Sequence, residues 1–149
     1  MLSKYKILIL TIVVATCMNQ KFDVKEKTLI RNFLKTIVLN EDFSQQEMYK
    51  YFNYFDNEKN KIQALNTFVK ENIKYVRGKL INKKYHLVTH TSEINFVYDK
   101  TKNEHIYHLI IEGEVITTFI VEGDKIKSFF YNMVKGNTMK RTPFILNDR

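Results

Sequence analysis

Four histidines, His86, His90, His105 and His108, are the side chains here best suited to proton or metal chemistry near neutral pH. His86 and His90 are four apart. On a helix that spacing could grip a metal, but no H-E-x-x-H surrounds them; in a strand they share a side, well separated along it. His105 and His108 are three apart and point to opposite faces of a regular strand. A two-histidine site across His90 and His105 needs neighbouring strands in one particular register. An acid–base pair would join His90 or His105 to Asp99, although Asp99 reads as the start of a loop; such a pair also needs hydrogen-bond reach to a substrate and a tuned pKa. His90, His105 and Tyr107 are the residues an interior pocket would use. There is no Gly-rich phosphate loop and no G-x-S-x-G elbow, and a single Cys excludes a Cys-cluster zinc site. The motifs therefore assign no catalytic, metal-ligating or cofactor-binding residue, and no cofactor is expected.

A second constellation is basic. Lys70, Lys74, Arg77, Lys79, Lys83 and Lys84 gather where helical periodicity gives way to strands, and the first three fall at i, i+4 and i+7 on one side of a helix. They form a candidate docking patch for anionic lipid or an acidic partner. They also suit the C-terminal end of that helix. The whole chain carries a formal net charge of +8, or +6 without Lys4 and Lys6, which favours anionic surfaces. Nucleic acid would be the first partner to consider for a basic domain, but the N-terminal segment argues against it.

That segment reads as an address. Lys4 and Lys6 form a cationic start, Ile7-Leu-Ile-Leu-Thr-Ile-Val-Val14 an apolar run, and Ala15 and Thr16 a small-residue stretch before Cys17. This is the layout of a secretory signal peptide, and the run is far short of the roughly 20 residues of a spanning helix. Val14-Ala15-Thr16-Cys17 resembles the lipobox of bacterial lipoproteins. The resemblance implies that the Cys17 thiol takes a diacylglyceryl group and becomes the first mature residue, anchoring the protein to a membrane. The other reading is a small-residue site, Ala15-x-Cys17, cut after Cys17. Residues 1–17 are thus expected as a signal peptide and 18–149 as a single domain of an envelope protein, periplasmic or on the outer surface.

With 149 residues, 44% apolar and 27% charged, the chain suits one globular domain, and nine Tyr and eleven Phe are too many for a disordered tail. The hydrophobic period changes near residue 82. Before it, helices are expected at Lys25–Leu39, Gln45–Phe55 and Glu58–Arg77. Asp23/Glu26 and Ser44/Glu47 have capping-box spacing. The first helix has the stripe Leu29, Ile30, Phe33, Leu34, Ile37 and Val38; the third has Ile62, Leu65, Phe68, Val69 and Ile73. After it, strands are expected at Tyr85–Thr89, Glu93–Asp99, His105–Glu112, Val115–Val121 and Lys125–Val134, with turns at Glu112-Gly113, Glu122-Gly123-Asp124 and Lys135-Gly136-Asn137. Pro143 limits Phe144–Leu146 to an edge or a tail. Three helices followed by a curved antiparallel sheet of four to five strands is an α+β fold. Both sheet faces carry apolar residues: Tyr107, Leu109 and Ile111 on one, Ile106 and Ile110 on the other. Three helices cover one face, so the second is expected to meet a partner.

Helices followed by such a sheet, ending in Thr117-Thr-Phe-Ile-Val-Glu-Gly-Asp-Lys-Ile-Lys-Ser128, resemble the nuclear-transport-factor-two-like family. The resemblance implies a cone of helices and sheet whose open end can hold a ligand, in a family that includes isomerases, dehydratases and non-catalytic binding or dimerising modules. Catalytic members place an Asp or a His–Asp pair in the cone. No stretch here matches those motifs, so no catalytic residue is carried over.

The expected function is therefore an exported, lipid-anchored, non-catalytic module that binds a protein partner or forms a homodimer through its sheet. One version is an immunity-type lipoprotein that neutralises a toxin. The alternative is a small-molecule binder or acid–base enzyme using the cone interior.

Overall fold

The apolar stripe of the first helix decides how it packs. Ile30, Phe33, Ile37 and Val38 are fully buried and Leu34 nearly so, as one face of a 3.6-residue period should be. The computed structural model describes residues 23–52, 59–91, 94, 96, 98, 100–129, 133–134 and 141–142, of which 59–65 and the last four are described by backbone alone. Helix α1 is α-helical over residues 23–33 and runs on as the π-helical turn Leu34–Val38, closed by Leu39 N–H donating to Leu34 O at 2.8 Å. The first capping box is not formed. Asp23 is already helical and pairs with Lys27 at 2.9 Å, and Glu26 is turned into the interior.

The second capping box is present: Glu47 N–H donates to Ser44 Oγ at 3.1 Å and Ser44 N–H to Glu47 Oε2 at 2.8 Å. It opens α2, Gln45–Tyr49, which is shorter than the expected Gln45–Phe55. Phe52 leaves the helical path for a parallel bridge to Ile126, whose N–H donates to Tyr51 O at 2.7 Å. Its ring meets Phe33 edge-on at 5.4 Å, so tertiary packing overrides the helical periodicity. Residues 53–58 lie outside the described residues. Helix α3, Lys59–Leu80, runs a turn beyond Arg77 because Val76 and Leu80 extend the buried stripe of Val69 and Ile73. Asn82, at φ 60°, ends it in the left-handed conformation. No described helix is long and apolar enough to cross a membrane.

Strands β1 (His86–Thr89), β2 (Glu104–Ile111), β3 (Glu114–Glu122) and β4 (Lys125–Ser128) form an open antiparallel sheet in the order β1-β2-β3-β4. Glu112 and Gly113 join β2 to β3 with φ of 51° and 84°, the paired positive values of a tight hairpin turn. Gly123 supplies a φ of 65° for the next hairpin. The fold is α+β, three helices and a four-stranded sheet, as expected. Two strands differ. Of Glu93–Asp99, the described residues Ile94, Phe96 and Tyr98 belong to no strand of the sheet. The single strand Lys125–Val134 is instead β4 followed by β5 (Met133–Val134), and β5 pairs with β6 (Arg141–Thr142) in a separate ribbon. The leader with Cys17, the turn at 135–137 and the run Phe144–Leu146 lie outside the described residues.

The core sits where α1 and α3 meet β2, β3 and β4. Phe33 is its centre, with ring centroids 5.4 Å from Tyr51, 6.2 Å from Phe119 and 4.8 Å from Phe129, while Phe119 and Phe129 stack at 5.6 Å. The second face of the sheet is covered at its middle by the chain itself. Phe96 packs on Ile106 and Ile120 there, with Ile94 and Tyr98 beside it.

Candidate functional site

Strand β2 sorts its polar side chains by parity. His105 and Tyr107 face the helices, while Glu104 and His108 face outward. His105 and His108 thus lie on opposite faces, as their spacing predicts. Each face assembles a buried polar cluster.

On the helix side the organiser is Glu26. Its position extends the Ile30–Phe33–Ile37 stripe back by one turn, so the helix period itself carries a carboxylate to the interior, where Glu26 is 3% exposed. Tyr107 Oη donates to Glu26 Oε2 at 2.6 Å, and His105 Nδ1 lies 2.8 Å from Glu26 Oε1. Burial, together with the hydrogen bond to Glu26, pushes the Tyr107 phenol far above its ordinary value, so its hydroxyl stays a donor. Lys27 Nζ stands 5.8 Å from the centroid of the Tyr107 ring. Thr89 Oγ1 donates to Asp23 Oδ1 at 3.4 Å, joining β1 to the same turn of α1.

On the outer face two clusters share the cover. His108 is fully buried; its Nδ1 is 2.9 Å from Thr118 Oγ1 and its Nε2 is 2.9 Å from His90 Nδ1. Phe96 meets both imidazoles edge-on, at 5.8 and 5.5 Å. Burial lowers the His90 pKa, and the Lys100 charge adds to this. Nearby, the fully buried Glu104 accepts from Lys127 Nζ, from Tyr98 Oη at 3.0 Å and from Thr101 N–H at 2.8 Å. Burial pushes the Glu104 carboxyl upward, but the Lys127, Thr101 and Tyr98 bonds together outweigh it and leave the group below its usual value.

The expected pocket residues are therefore divided. His105 and Tyr107 come together on Glu26, while His90 is on the opposite face with His108. His90 and His105 form no pair, because the register sets Val88 against His108 and carries His90 beyond β1, where its N–H donates to Ile106 O. Asp99 lies outside the described residues, and the carboxylate beside His105 is Glu26. Among the described residues no three His, Cys, Asp or Glu side chains converge as metal ligands. Glu26 and Glu104 were both missed by motif reasoning. The signal for Glu26 was its place on the apolar stripe; the signal for Glu104 was a charge at the outward parity of an apolar strand.

The basic cluster also divides. Lys70, Lys74 and Arg77, with Glu41, Phe43 and Ile73, line a cleft of about 260 Å³ beside α3. Lys79 Nζ instead stands over the Tyr75 ring at 5.8 Å, Lys83 pairs with Glu112 at 2.8 Å, and Lys84 is exposed. Against known proteins, no family model, no curated protein and no solved structure matches the chain.

Proposed function

We propose that this chain is an exported, non-catalytic binding domain, anchored to a membrane by acylation of Cys17, that engages a protein partner on its outer surface. The observation that supports this reading is the state of the interior. Phe33, Phe52, Phe119 and Phe129 fill the space between helices and sheet, and Glu26 there is engaged by Tyr107 and His105. A small-molecule site needs a concave space with a few polar groups turned toward it. An interior packed with phenylalanine favours the binding domain over the alternative of a ligand-binding or acid–base interior.

The partner surface we assign is the β1 side of the outer sheet face. Val88 and Ile110 are half-buried there, and among the described residues no strand pairs with the outer edge of β1. A sheet edge offers unpaired backbone groups to another chain. A formal charge of +6 without Lys4 and Lys6 sets mature copies of this chain against one another, so an acidic partner is favoured over a homodimer.

The test is expression of the full chain in a Gram-negative host, with mass spectrometry of the mature N-terminus and affinity capture from native envelopes. A diacylglyceryl adduct on Cys17, loss of membrane association in Cys17→Ser, and loss of the captured partner in Val88→Glu are the expected results. A chain that keeps its first 20 residues, protected from protease inside the folded domain, overturns the proposal.

A further inference from the structure

We infer that the cleft beside α3 seats an acidic helical segment of that protein partner, one presenting carboxylates in a row and an apolar side chain between them. The inference rests on the proposed function and adds a second contact, on the helix side of the sheet and apart from the β1 edge, with the chemistry of the segment that makes it.

The cleft is built along one helix stripe. Lys70, Ile73, Lys74 and Arg77 fall at i, i+3, i+4 and i+7 of α3. Ile73 is 1% exposed and Phe43 is half-buried, so the floor is apolar and the rim cationic. Arg77 is held rigidly. Its Nε donates to Val38 O at 2.5 Å and its Nη2 to Asn40 O at 2.7 Å. These carbonyls fix the guanidinium at the end of α1 but bring no net charge to neutralise it. The only carboxylate near it among the described residues is Glu41, 3.8 Å away and 79% exposed, a weak partner. Capping of α1 involves Arg77 and not the two lysines. Lys74 pairs only with the exposed Glu71, and Lys70 is exposed with no ion pair among the described residues.

Three features select the occupant. First, the cations are set out along about 10 Å of helix, at the 1.5 Å rise, a length that matches a row of carboxylates. Lys70 and Lys74 are about 6 Å apart along the axis, the spacing of carboxylates at i and i+4 on another helix. Second, the Phe43–Ile73 floor suits a leucine-like side chain and not a hydrated headgroup. Third, the cleft lies at the C-terminal end of α1. That is roughly 20 Å along the helix from residue 23, where a tether from Cys17 would enter. A membrane held at the tethered end meets the cleft only when the domain lies on its side, whereas a protein reaches it in any orientation.

The experiment uses the full chain and a fluorescein-labelled 14-residue helical peptide with Glu at i, i+4 and i+8 and Leu between them. The peptide should bind at micromolar to tens of micromolar concentration, and more weakly as salt is raised from 0.05 to 0.3 M. The K70E/K74E variant should weaken it at least tenfold, Phe43→Ala severalfold, and exchange of the peptide's Glu for Gln at least tenfold. Circular dichroism confirms the fold of each variant. No binding at 1 mM overturns the inference. Equal binding by K70E/K74E removes the cleft and leaves the protein-binding domain standing. Inorganic phosphate or phosphatidylglycerol vesicles bound through Lys70 and Lys74 in place of the peptide remove both.

Discussion

The two faces of β2 each bury one carboxylate, and they satisfy it in different ways. On the helix side Glu26 is met by a buried phenol and by an imidazole that is 42% exposed, on the same face as the phenylalanine-rich core. On the outer face Glu104 is met by an ammonium, a phenol and a backbone N–H, under the thin cover of Ile94, Phe96 and Tyr98. Where two layers pack, apolar burial supplies the stabilisation and the polar group is the exception that must be satisfied. Where the cover is a single layer, an ion pair and hydrogen bonds hold it to the sheet. The helix side should therefore respond most to lost volume and the outer face most to lost charge.

The sharpest way to break that contrast is to cut a ring from each face. Phe33→Ala should cost about 4 kcal/mol in urea unfolding, since four aromatic neighbours are left around a cavity. Phe96→Ala should cost less, about 2 kcal/mol, because its cluster is small and its neighbours can collapse onto the sheet. Equal losses would mean that the outer cover is as much a core as the helix side.

The next largest effect belongs to charge. Lys127→Met leaves the Glu104 carboxylate buried without its ammonium and should cost about 3 kcal/mol, the low end for such a pair because Lys127 is 24% exposed. Adding Glu104→Gln should restore a large part of it. A double variant no better than Lys127→Met would show that the lysine stem, not its charge, carries the contact. The helix-side counterpart is milder. Tyr107→Phe keeps the ring and removes one donor to Glu26, a loss of about 1.5 kcal/mol.

Much of this layout was legible because local periods carry it. The stripes of α1 and α3, the Ser44–Glu47 box and the turns at Gly113 and Gly123 are encoded by residues close in sequence. The elements that escaped are set by contacts distant in sequence. Phe52 leaves the helical pattern to bridge Ile126, 74 positions on. Ile94, Phe96 and Tyr98 alternate as a strand would and do share a face, yet they lie outside the four-stranded sheet and their side chains pack on its surface. The site divided for the same reason. Spacing within β2 gave the faces of His105 and His108, but it could not say that α1 would deliver Glu26 to one and that the chain beyond β1 would deliver His90 to the other. For the basic cluster, helical spacing grouped Lys70, Lys74 and Arg77 correctly. Lys79, Lys83 and Lys84 went elsewhere because the helix ends among them.

The smallest effects are those of pH, and two groups of the outer face, Glu104 and His90, can be separated by where they act. Glu104 has its folded pKa below the ordinary carboxylate value. Its contribution is fully present above about pH 4.5, where the unfolded carboxyl is also ionised, and is lost as pH falls through the lower folded value. His90 acts nearer neutrality. Burial lowers its folded pKa below 6.5, so between the two values the unfolded chain binds the extra proton. Stability from His90 is therefore present above about pH 6.5 and falls as the medium is acidified through the folded value. The His90→Asn variant keeps a polar atom near the place of Nδ1, facing His108, but does not titrate. Subtracting its unfolding free energies from those of the natural chain between pH 7.5 and 5 should give a curve that declines by a fraction of a kcal/mol toward acid. A flat His90 curve would mean that burying the imidazole under Phe96 carries no proton-linked stability, and the contrast between the two faces would lose its electrostatic half.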